Sequence, residues 1–160
     1  MIATNKASTA HIRPATEADL PNVERLLTES SLPLTGVRQA LKDFVVAEAD
    51  GDLVGVAGLE LCCDDALLRS VAVHPDWRSK GVGRALVTRA ISDAEARGTR
   101  ALYLLTTTAE RYFPSFGFQK IERAEVPDAV RETDEFTTAC PASAAAMRRT
   151  LRDNAADSAR

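Results

Sequence analysis

Cysteine, histidine and long apolar runs are scarce in this chain of 160 residues. Its three cysteines, Cys62, Cys63 and Cys140, form an odd set without metal-ligand spacing, so we expect reduced thiols and no disulfide framework. The two histidines, His11 and His74, are too few and too far apart in the sequence to propose a metal site. The sequence therefore predicts no bound metal.

The absence of long apolar runs and of a strong charge bias limits the partners of the protein. No run approaches the roughly 20 residues that cross a bilayer, and the first ten residues lack the apolar stretch of a secretory signal. Lys and Arg total 20 against 23 Asp and Glu, a formal charge of −3, which argues against nucleic-acid binding. We therefore expect a cytoplasmic protein with a small-molecule ligand and without membrane or nucleic-acid partners.

The length and composition of the chain predict one compact domain. With 45% apolar residues, 160 residues are enough for one well-buried core and too few for two ordinary domains. Residues 1–9 and 153–160 are small and polar, so both ends are predicted to be flexible. This leaves a folded domain over about 10–152.

Helical and strand patterns alternate along this domain, which predicts an α/β fold. The first helical pattern begins at a cap formed by Thr16 and Asp19. Further helical patterns cover 37–43, 81–97 and 109–116. The strand patterns flank a turn at 50–52 and then cover 65–73, 101–105 and 118–121. A helical turn is expected within 126–136. The alanine-rich segment near 143–151 favours a helix by propensity, although a strand would suit an open sheet edge.

The stretch LLRSVAVHPDWRSKGVGRAL carries the chemistry, because a strand ends, a short loop follows, and a helix begins with Gly81 and Gly83 in its first turn. A helix start presents unpaired N–H groups and positive charge, and glycines remove the Cβ atoms that would obstruct a phosphate. Arg78 and Lys80 add positive charge to the loop. The pattern predicts a phosphate site, and the alternative is a tight turn whose basic residues, including Arg84, are solvated.

The motif RSKGVG, from Arg78 to Gly83, resembles the signature of the GNAT superfamily of acyl-CoA-dependent N-acetyltransferases: Arg or Gln, two residues, Gly, one residue, then Gly or Ala. The resemblance extends over about 10–152 and includes the strand before the motif, the helix after it and the pair Gly117-Phe118. The segments LLRSVAV, ALYLLTTTAERYFPSFGF, VPDAVRETDEF and CPASAAAM are most similar to the arsenic-resistance N-acetyltransferases, a branch that is similar to N-acetylglutamate synthase in its C-terminal half.

The resemblance implies a GNAT fold, in which a mixed central sheet is flanked by helices and splays open between its fourth and fifth strands. The pantetheine arm of acetyl-CoA, the expected cofactor, would lie in that gap and bond the backbone of Val71, Ala72 and Val73. Phe113 would pack against the arm, and the segment near 143–151 would be a strand. The residues expected to hold the pyrophosphate are Arg78, Ser79, Lys80, Gly81, Val82, Gly83 and Arg84.

Family chemistry is direct attack of a neutral amine on the acetyl thioester, through an oxyanion that a backbone N–H near Val73 would stabilise. An α-amino group has a pKa of about 8, so a proton acceptor is needed. Glu60 is the first candidate, with Glu48 and Glu110 in reserve. An equal alternative makes Glu60 a solvent-facing strand residue without a catalytic role.

The proton donor to the leaving thiolate is less well defined by the sequence. Many relatives use a tyrosine four residues before the Gly-Phe pair, where this chain has Phe113. Tyr112 lies one residue earlier, and on a helix that shift turns a side chain by ~100°. Tyr112 or water is therefore left as the proton donor.

Two arginines are candidates to bind a substrate carboxylate. Arg69 lies inside an apolar strand, where an unpaired charge is costly. An ion pair with Glu48, Glu60 or another acid is the favoured interpretation, and a substrate carboxylate is the alternative. Arg38, in the segment after the first helix, is the second candidate for the substrate carboxylate.

These features predict an acetyl-CoA-dependent N-acetyltransferase whose acceptor is a small amine, either an amino acid or an organoarsenical amino-acid analogue. The competing acceptors are peptide and antibiotic amines, and the competing function is a catalytically silent CoA-binding module. Binding of trivalent arsenic by thiolates is disfavoured, because consecutive strand residues point to opposite faces and small buried hydrophobes are the better default for the cysteines. The resemblance is also compatible with a homodimer.

Overall fold

The computed structural model describes residues 9–139 and 143–151, so Cys140 and most of the predicted flexible termini lie outside the described residues. The strands are β1 (His11–Pro14), β2 (Phe44–Ala49), β3 (Asp52–Cys62), β4 (Asp65–Val73), β5 (Ala101–Thr106), β6 (Gln119–Ile121) and β7 (Ala145–Thr150). The α-helices are α1 (Leu20–Glu29), α2 (Val37–Ala40), α3 (Val82–Ala96) and α4 (Asp128–Arg131). Shorter 3₁₀ turns cover Glu17–Asp19, Leu41–Asp43, Pro75–Trp77, Phe113–Phe116 and Arg123–Glu125, and a π-helical turn covers Glu135–Ala139.

The strands form a mixed sheet in the order β1-β2-β3-β4-β5-β7-β6. β1 and β2 pair antiparallel, as do β2 and β3, while β7 lies antiparallel between β5 and β6. β4 and β5 are parallel, with a register that covers Ala66 and Leu67. This mixed sheet with flanking helices confirms the predicted fold class, and β7 confirms the strand expected near 143–151. The opening of β4 and β5 beyond this register stays a prediction.

The chain divides into two compact units, each assembled from two stretches of sequence. Unit 1 comprises the residues up to Gly58 together with Ser70–Ala90, and unit 2 comprises Leu59–Arg69 together with the residues from Ile91 onward. Strands β3 and β4 each contribute residues to both units. The single domain over 10–152 stays a prediction.

Unit 1 is organised around the β2-β3 hairpin, both of whose faces are buried. On one face the apolar side of α1, with Val23 and Leu27, packs in a cluster with Phe44 and Val46. The alternate residues Val45 and Ala47 belong to a second cluster that includes Val82 and Leu86 of α3, which is the period-2 alternation of a strand. The tip of the hairpin is the predicted turn, where Asp50 and Gly51 have φ of 53° and 84°, the positive values of a type I′ turn.

An ion cluster joins β1, the start of α1 and β2. The predicted cap is confirmed, because the N–H of Thr16 donates to Oδ2 of Asp19 at 2.7 Å. Arg13 donates to both carboxylate oxygens of Asp19, at 2.8 and 2.9 Å, and its Nε donates to Glu48 at 2.8 Å. These hydrogen bonds, chiefly the one from Arg13, lower the pKa of the nearly buried Asp19 to about 2.

The lowered pKa of Asp19 makes part of the stability pH-dependent. The Asp19 contribution is present at pH 4 and above and is lost as the pH falls through about 2, because the protonated acid loses its pairing with Arg13. We expect Asp19→Asn to lower the free energy of unfolding by about 1–2 kcal/mol at pH 7 and by less at pH 3. Urea titrations at both pH values measure this, and the exposed Asp128, paired with Arg131, gives the control Asp128→Asn.

The control should change the unfolding free energy by no more than about 0.5 kcal/mol, since exposed ion pairs contribute little. An equal loss in Asp19→Asn and Asp128→Asn would contradict a special role of the Arg13 cluster. A loss in Asp19→Asn that stays constant from pH 7 to pH 3 would contradict the ionisation argument.

Unit 2 has its own core beneath β5 and β7, in which Leu67, Tyr103 and Ala146 pack with Val126 and Val130. Val130 lies on α4, so the helical turn predicted within 126–136 is confirmed. The cluster shows that the loop between β6 and β7 contributes to the core of this unit.

Two predictions of secondary structure need correction. The helix predicted over 109–116 is wrong, because only a 3₁₀ turn at Phe113–Phe116 forms. Pro114 lacks an N–H and disfavours helical geometry at the residue before it, which opposes a continuous helix. Strand β1 was not predicted, because a four-residue edge strand that ends in Pro14 has neither the length nor the alternation of a recognisable strand.

Candidate active site

The end of β4 leads into the motif in unit 1. Ser70 has φ of 59°, a left-handed conformation that a non-glycine residue rarely adopts inside a strand and that locally re-aims the residues after it. Ala72 packs in the cluster with α1, whereas Val71 and Val73 pack in the cluster with α3. The side chains of these three predicted cofactor residues thus pack in the core, and binding of the pantetheine by their backbone groups stays a prediction.

The loop between β4 and α3 has the backbone form of an anion cradle. Ser79 and Gly81 are both left-handed, with φ of 65° and 85°, and left-handed residues in a loop gather backbone N–H groups into a concave surface. Helix α3 starts at Val82, and Ala85 closes the first turn by donating to the carbonyl of Gly81 at 3.0 Å. The N–H groups of the first turn, including that of Gly83, have no acceptor inside the helix.

The space beside Gly81 shows whether a phosphate group fits against the loop between β4 and α3. A Cβ built on Gly81 meets nothing within 4 Å, and Gly81, Ser79 and Lys80 are exposed. Unobstructed space, a helix start of positive polarity and a nearby lysine are what a diphosphate requires. The residues present therefore fit the diphosphate of coenzyme A.

Arg78 also has a structural role in this loop. Its Nε donates to the carbonyl of Val73 at 3.2 Å, so the side chain ties the loop to the end of β4. Arg84 on the first turn of α3 and Lys80 remain exposed. The contact of Arg78 and Arg84 with phosphate stays a prediction.

Unit 2 contains a buried group of three charged side chains, Arg69, Glu60 and Glu135. Arg69 is completely buried, its Nη1 lies 3.0 Å from Oε1 of Glu60, and its Nε lies 3.4 Å from Oε1 of Glu135. The side chain of Glu60 is 26% exposed and that of Glu135 only 6%. Internal carboxylates therefore pair with Arg69, which is the favoured of the two alternatives from the sequence.

Glu135 is not among the site residues predicted from the sequence. It lies far along the chain from Arg69, in the π-helical turn at Glu135–Ala139, where no spacing marks it as special. Burial raises the pKa of Glu135 to about 7, with Arg69 acting in the opposite direction and Glu60 adding to the increase. The one signal in the sequence was the need of a buried arginine for countercharge.

The aromatic residues proposed for catalysis and cofactor packing adjoin each other in unit 2. Tyr112 lies on the turn before the 3₁₀ segment, is 39% exposed, and has its ring centroid 5.3 Å from that of Phe113 and 5.2 Å from that of Phe116. Phe113 is buried, with its ring 5.8 Å from Phe118. Proton donation by Tyr112 and packing of Phe113 on the cofactor stay predictions.

Of the remaining site candidates, Arg38 and Glu48 belong to unit 1 and Glu110 belongs to unit 2. Arg38 lines a cavity of about 590 Å³ in unit 1, together with Lys42, Gln39 and residues at the start of α1. Glu48 is engaged by Arg13, and Glu110 is an exposed residue whose Oε2 lies 3.1 Å from Nζ of Lys120. Both reserve candidates for the base are therefore paired with cations, as Glu60 is with Arg69.

The cysteines of the described chain have free thiols in different environments. Cys62 is buried, and burial raises the pKa of its thiol to about 12. Cys63 is exposed, in a turn with φ of 62°, so the expectation of a small buried hydrophobe is wrong for this residue. A positive φ ends the strand alternation at that point.

Residues 9–139 and 143–151 contain neither a metal-binding cluster nor a membrane-spanning helix. No group of three or more His, Cys, Asp or Glu side chains in these ranges is placed to hold a metal ion. None of the helices in these ranges combines the length and the apolar character that crossing a bilayer requires.

Similarity to known proteins covers most of the chain. A family model described as acetyltransferase (GNAT) domain matches residues 40–120. The amino-acid acetyltransferase of Pasteurella multocida is 30% identical over 130 residues, which are 76% of this chain and 30% of that protein. This chain thus spans about a third of the length of that relative.

Solved structures share the fold. N-acetylglutamate synthase from Neisseria gonorrhoeae, complexed with coenzyme A and N-acetyl-glutamate, has a TM-score of 0.78 at 25% identity, covering 91% of this chain and 36% of that chain. A Mycobacterium tuberculosis protein in complex with CoA has a TM-score of 0.76 at 24% identity, covering 89% of this chain and 99% of that chain. The backbone form of the loop before α3 agrees with the family match, and this chain belongs to the GNAT family of acetyltransferases, which use acetyl-CoA.

Proposed function

We propose that the protein acetylates the α-amino group of a small amino acid or of a close analogue. The observation that carries the proposal is the left-handed loop Ser79–Gly81 at the start of α3, with open space beside Gly81 for the diphosphate of acetyl-CoA. The acceptor class is supported by the relatives named amino-acid acetyltransferase and N-acetylglutamate synthase.

The residues of this chain supply binding and proton transfer. When bound, acetyl-CoA supplies the thioester that the acceptor amine attacks. The N–H groups at the start of α3 would hold the diphosphate, and the backbone N–H of Val73 would donate to the acetyl carbonyl oxygen. Glu60, partly exposed and held by Arg69, would accept the proton of the amine. Tyr112, which is 39% exposed, would give a proton to the coenzyme A sulfur.

Arg38 is the better of the two proposed ligands for the acceptor carboxylate. Arg69 is completely buried and already contacts two carboxylates, so a third would add uncompensated negative charge. Arg38 is exposed and lines a cavity with a second cation, Lys42. The cavity is also lined by Glu17, so its two cations outnumber its one acid, and a guanidinium suits the carboxylate of an amino acid.

An organoarsenical amino-acid analogue is a second candidate acceptor. The segments LLRSVAV, ALYLLTTTAERYFPSFGF, VPDAVRETDEF and CPASAAAM favour it, because they are most similar to the arsenic-resistance branch. Such an analogue carries the same α-amino and carboxylate groups as an amino acid. The arsenic-containing group distinguishes it from an amino acid, so the kcat/KM measured for each acceptor separates the two candidates.

An acceptor panel tests the proposal. Release of free thiol from acetyl-CoA is followed with glutamate and other amino acids, their carboxyl amides, an arsenical amino-acid analogue, a dipeptide and an aminoglycoside. We expect turnover of free amino acids or of the analogue and at least about a tenfold loss of kcat/KM for the carboxyl amides, which lack the charge that Arg38 binds. Turnover of the dipeptide or the aminoglycoside alone would contradict the acceptor class. Acetyl-CoA binding without any turnover would support a silent CoA-binding module.

A further inference from the structure

The group formed by Arg69, Glu60 and Glu135 has more negative charge than its single cation balances. Two carboxylates and one guanidinium give a net charge of −1 when both acids are ionised and zero when one is protonated. Because Arg69 is completely buried and Glu135 is 6% exposed, the interior disfavours the charged form of the group. Glu60 is the better solvated acid, at 26% exposed. When the pH falls and one of the two acids takes up a proton, the less solvated Glu135 is therefore the acid that binds it.

The chain holds Glu135 firmly against Arg69. Within the loop between β6 and β7, Arg123 donates from Nη2 to the carbonyl of Ala144 at 2.9 Å and lies 5.8 Å from the ring centroid of Phe136. On the other side of Glu135, the buried hydroxyl of Thr133 donates to the carbonyl of Val130 at 2.7 Å. These contacts fix the backbone on both sides of Glu135, so its carboxylate meets Arg69 in a defined position.

We propose that Glu135 is a positioning residue: through Arg69 it fixes the carboxylate of Glu60 and determines how strongly Glu60 attracts the amine proton. The inference rests on the proposed function in taking Glu60 as the base. When Glu135 is ionised, the charge of Arg69 is shared by two acids, and Glu60 is the stronger base. When Glu135 is neutral, Arg69 acts on Glu60 alone and weakens it as a base.

Among the described residues, charged groups face Glu135 from each element that packs against it. Arg69 faces it from β4 and Glu60 from β3, and these two are the charges that shift its pKa. The neighbours in its own segment are the exposed Glu132 and Asp134, Arg131 in its pair with Asp128, and Arg123 at the ring of Phe136. A pKa of about 7 means that Glu135 changes charge near neutral pH.

Glu135→Gln tests the inference, because glutamine imitates the protonated acid at every pH. The readout is the ratio of kcat/KM in the variant to that in the wild type from pH 6 to pH 8.5. We expect a ratio near one at pH 6 and a fall to about one tenth near pH 7.5, where Glu135 is ionised and an α-amino group with a pKa of about 8 is still largely protonated, with the KM for acetyl-CoA unchanged. Glu132→Gln removes an exposed carboxylate from the same segment and should give a flat ratio near one. A flat ratio for Glu135→Gln would overturn the inference.

Two further measurements separate the inference from protein stability and from the proposed function. Glu135→Asp keeps a carboxylate and should restore the ratio near pH 7.5 to within about threefold of one, which a purely structural role does not require. Carboxyl ¹³C NMR of the free protein should show a glutamate that titrates near pH 7 in the wild type and in Glu132→Gln and is absent from Glu135→Gln. Presence of this resonance without turnover of any acceptor would contradict the proposed function alone. Its absence from the wild type would overturn the inference itself.

Discussion

Replacement of Gly81 by glutamate is expected to weaken acetyl-CoA binding by about a hundredfold or more. The new side chain would occupy the open space beside the loop and bring a negative charge to the N–H groups at the start of α3. It also forces a non-glycine residue into a φ of 85°, which costs of order 1 kcal/mol in stability. Isothermal titration calorimetry with acetyl-CoA measures the affinity, and thermal unfolding measures the stability.

Gly51 provides a matched control for this change. It has φ of 84°, is exposed at the tip of the β2-β3 hairpin, and has nothing within 4 Å of an added Cβ. Gly51→Glu therefore adds the same charge and the same backbone strain at a different place in the same unit. We expect a similar loss of stability in both variants and a loss of acetyl-CoA affinity only in Gly81→Glu. If the two variants bound acetyl-CoA with equal affinity, the loop around Gly81 would not be part of the cofactor site.

Replacement of Glu60 by glutamine is expected to lower kcat about a thousandfold at pH 6. A general base is needed most when the amine is protonated, and an α-amino group with a pKa of about 8 is largely deprotonated at pH 9. The defect should therefore shrink as the pH rises. Steady-state kinetics from pH 6 to pH 9 measure this change, and the KM for acetyl-CoA should stay within about threefold of the wild type.

The variant Glu110→Gln shows whether the assignment of Glu60 as the base is wrong. Glu110 is exposed and pairs with Lys120, whereas Glu60 is held by a buried arginine. If Glu110→Gln shows the pH-dependent loss and Glu60→Gln shows a wild-type profile, the base is Glu110. If neither variant changes the profile, the amine loses its proton without either carboxylate.

Elements with a strong local pattern were predicted closely from the sequence. Strand β4 occupies 65–73 as predicted, and α3 lies within the predicted 81–97, because a buried strand and a helix with one apolar face have distinct periods. Elements with a weak local pattern were not predicted correctly. The four residues of β1 are a strand because β2 pairs with them, and Pro114 opposed the helix that the pattern at 109–116 favoured.

The motif RSKGVG, with the strand before it and the helix after it, predicted the family from the sequence alone, and the phosphate site that it predicts lies within one loop and the first turn of one helix. A short contiguous segment fixes its own geometry through local hydrogen bonds and glycine conformation, so it can be read without the rest of the chain. The partners of Arg69 were decided only by the tertiary structure. Glu60 arrives on β3 and Glu135 on the loop between β6 and β7, and only long-range packing brings distant charges to a buried guanidinium.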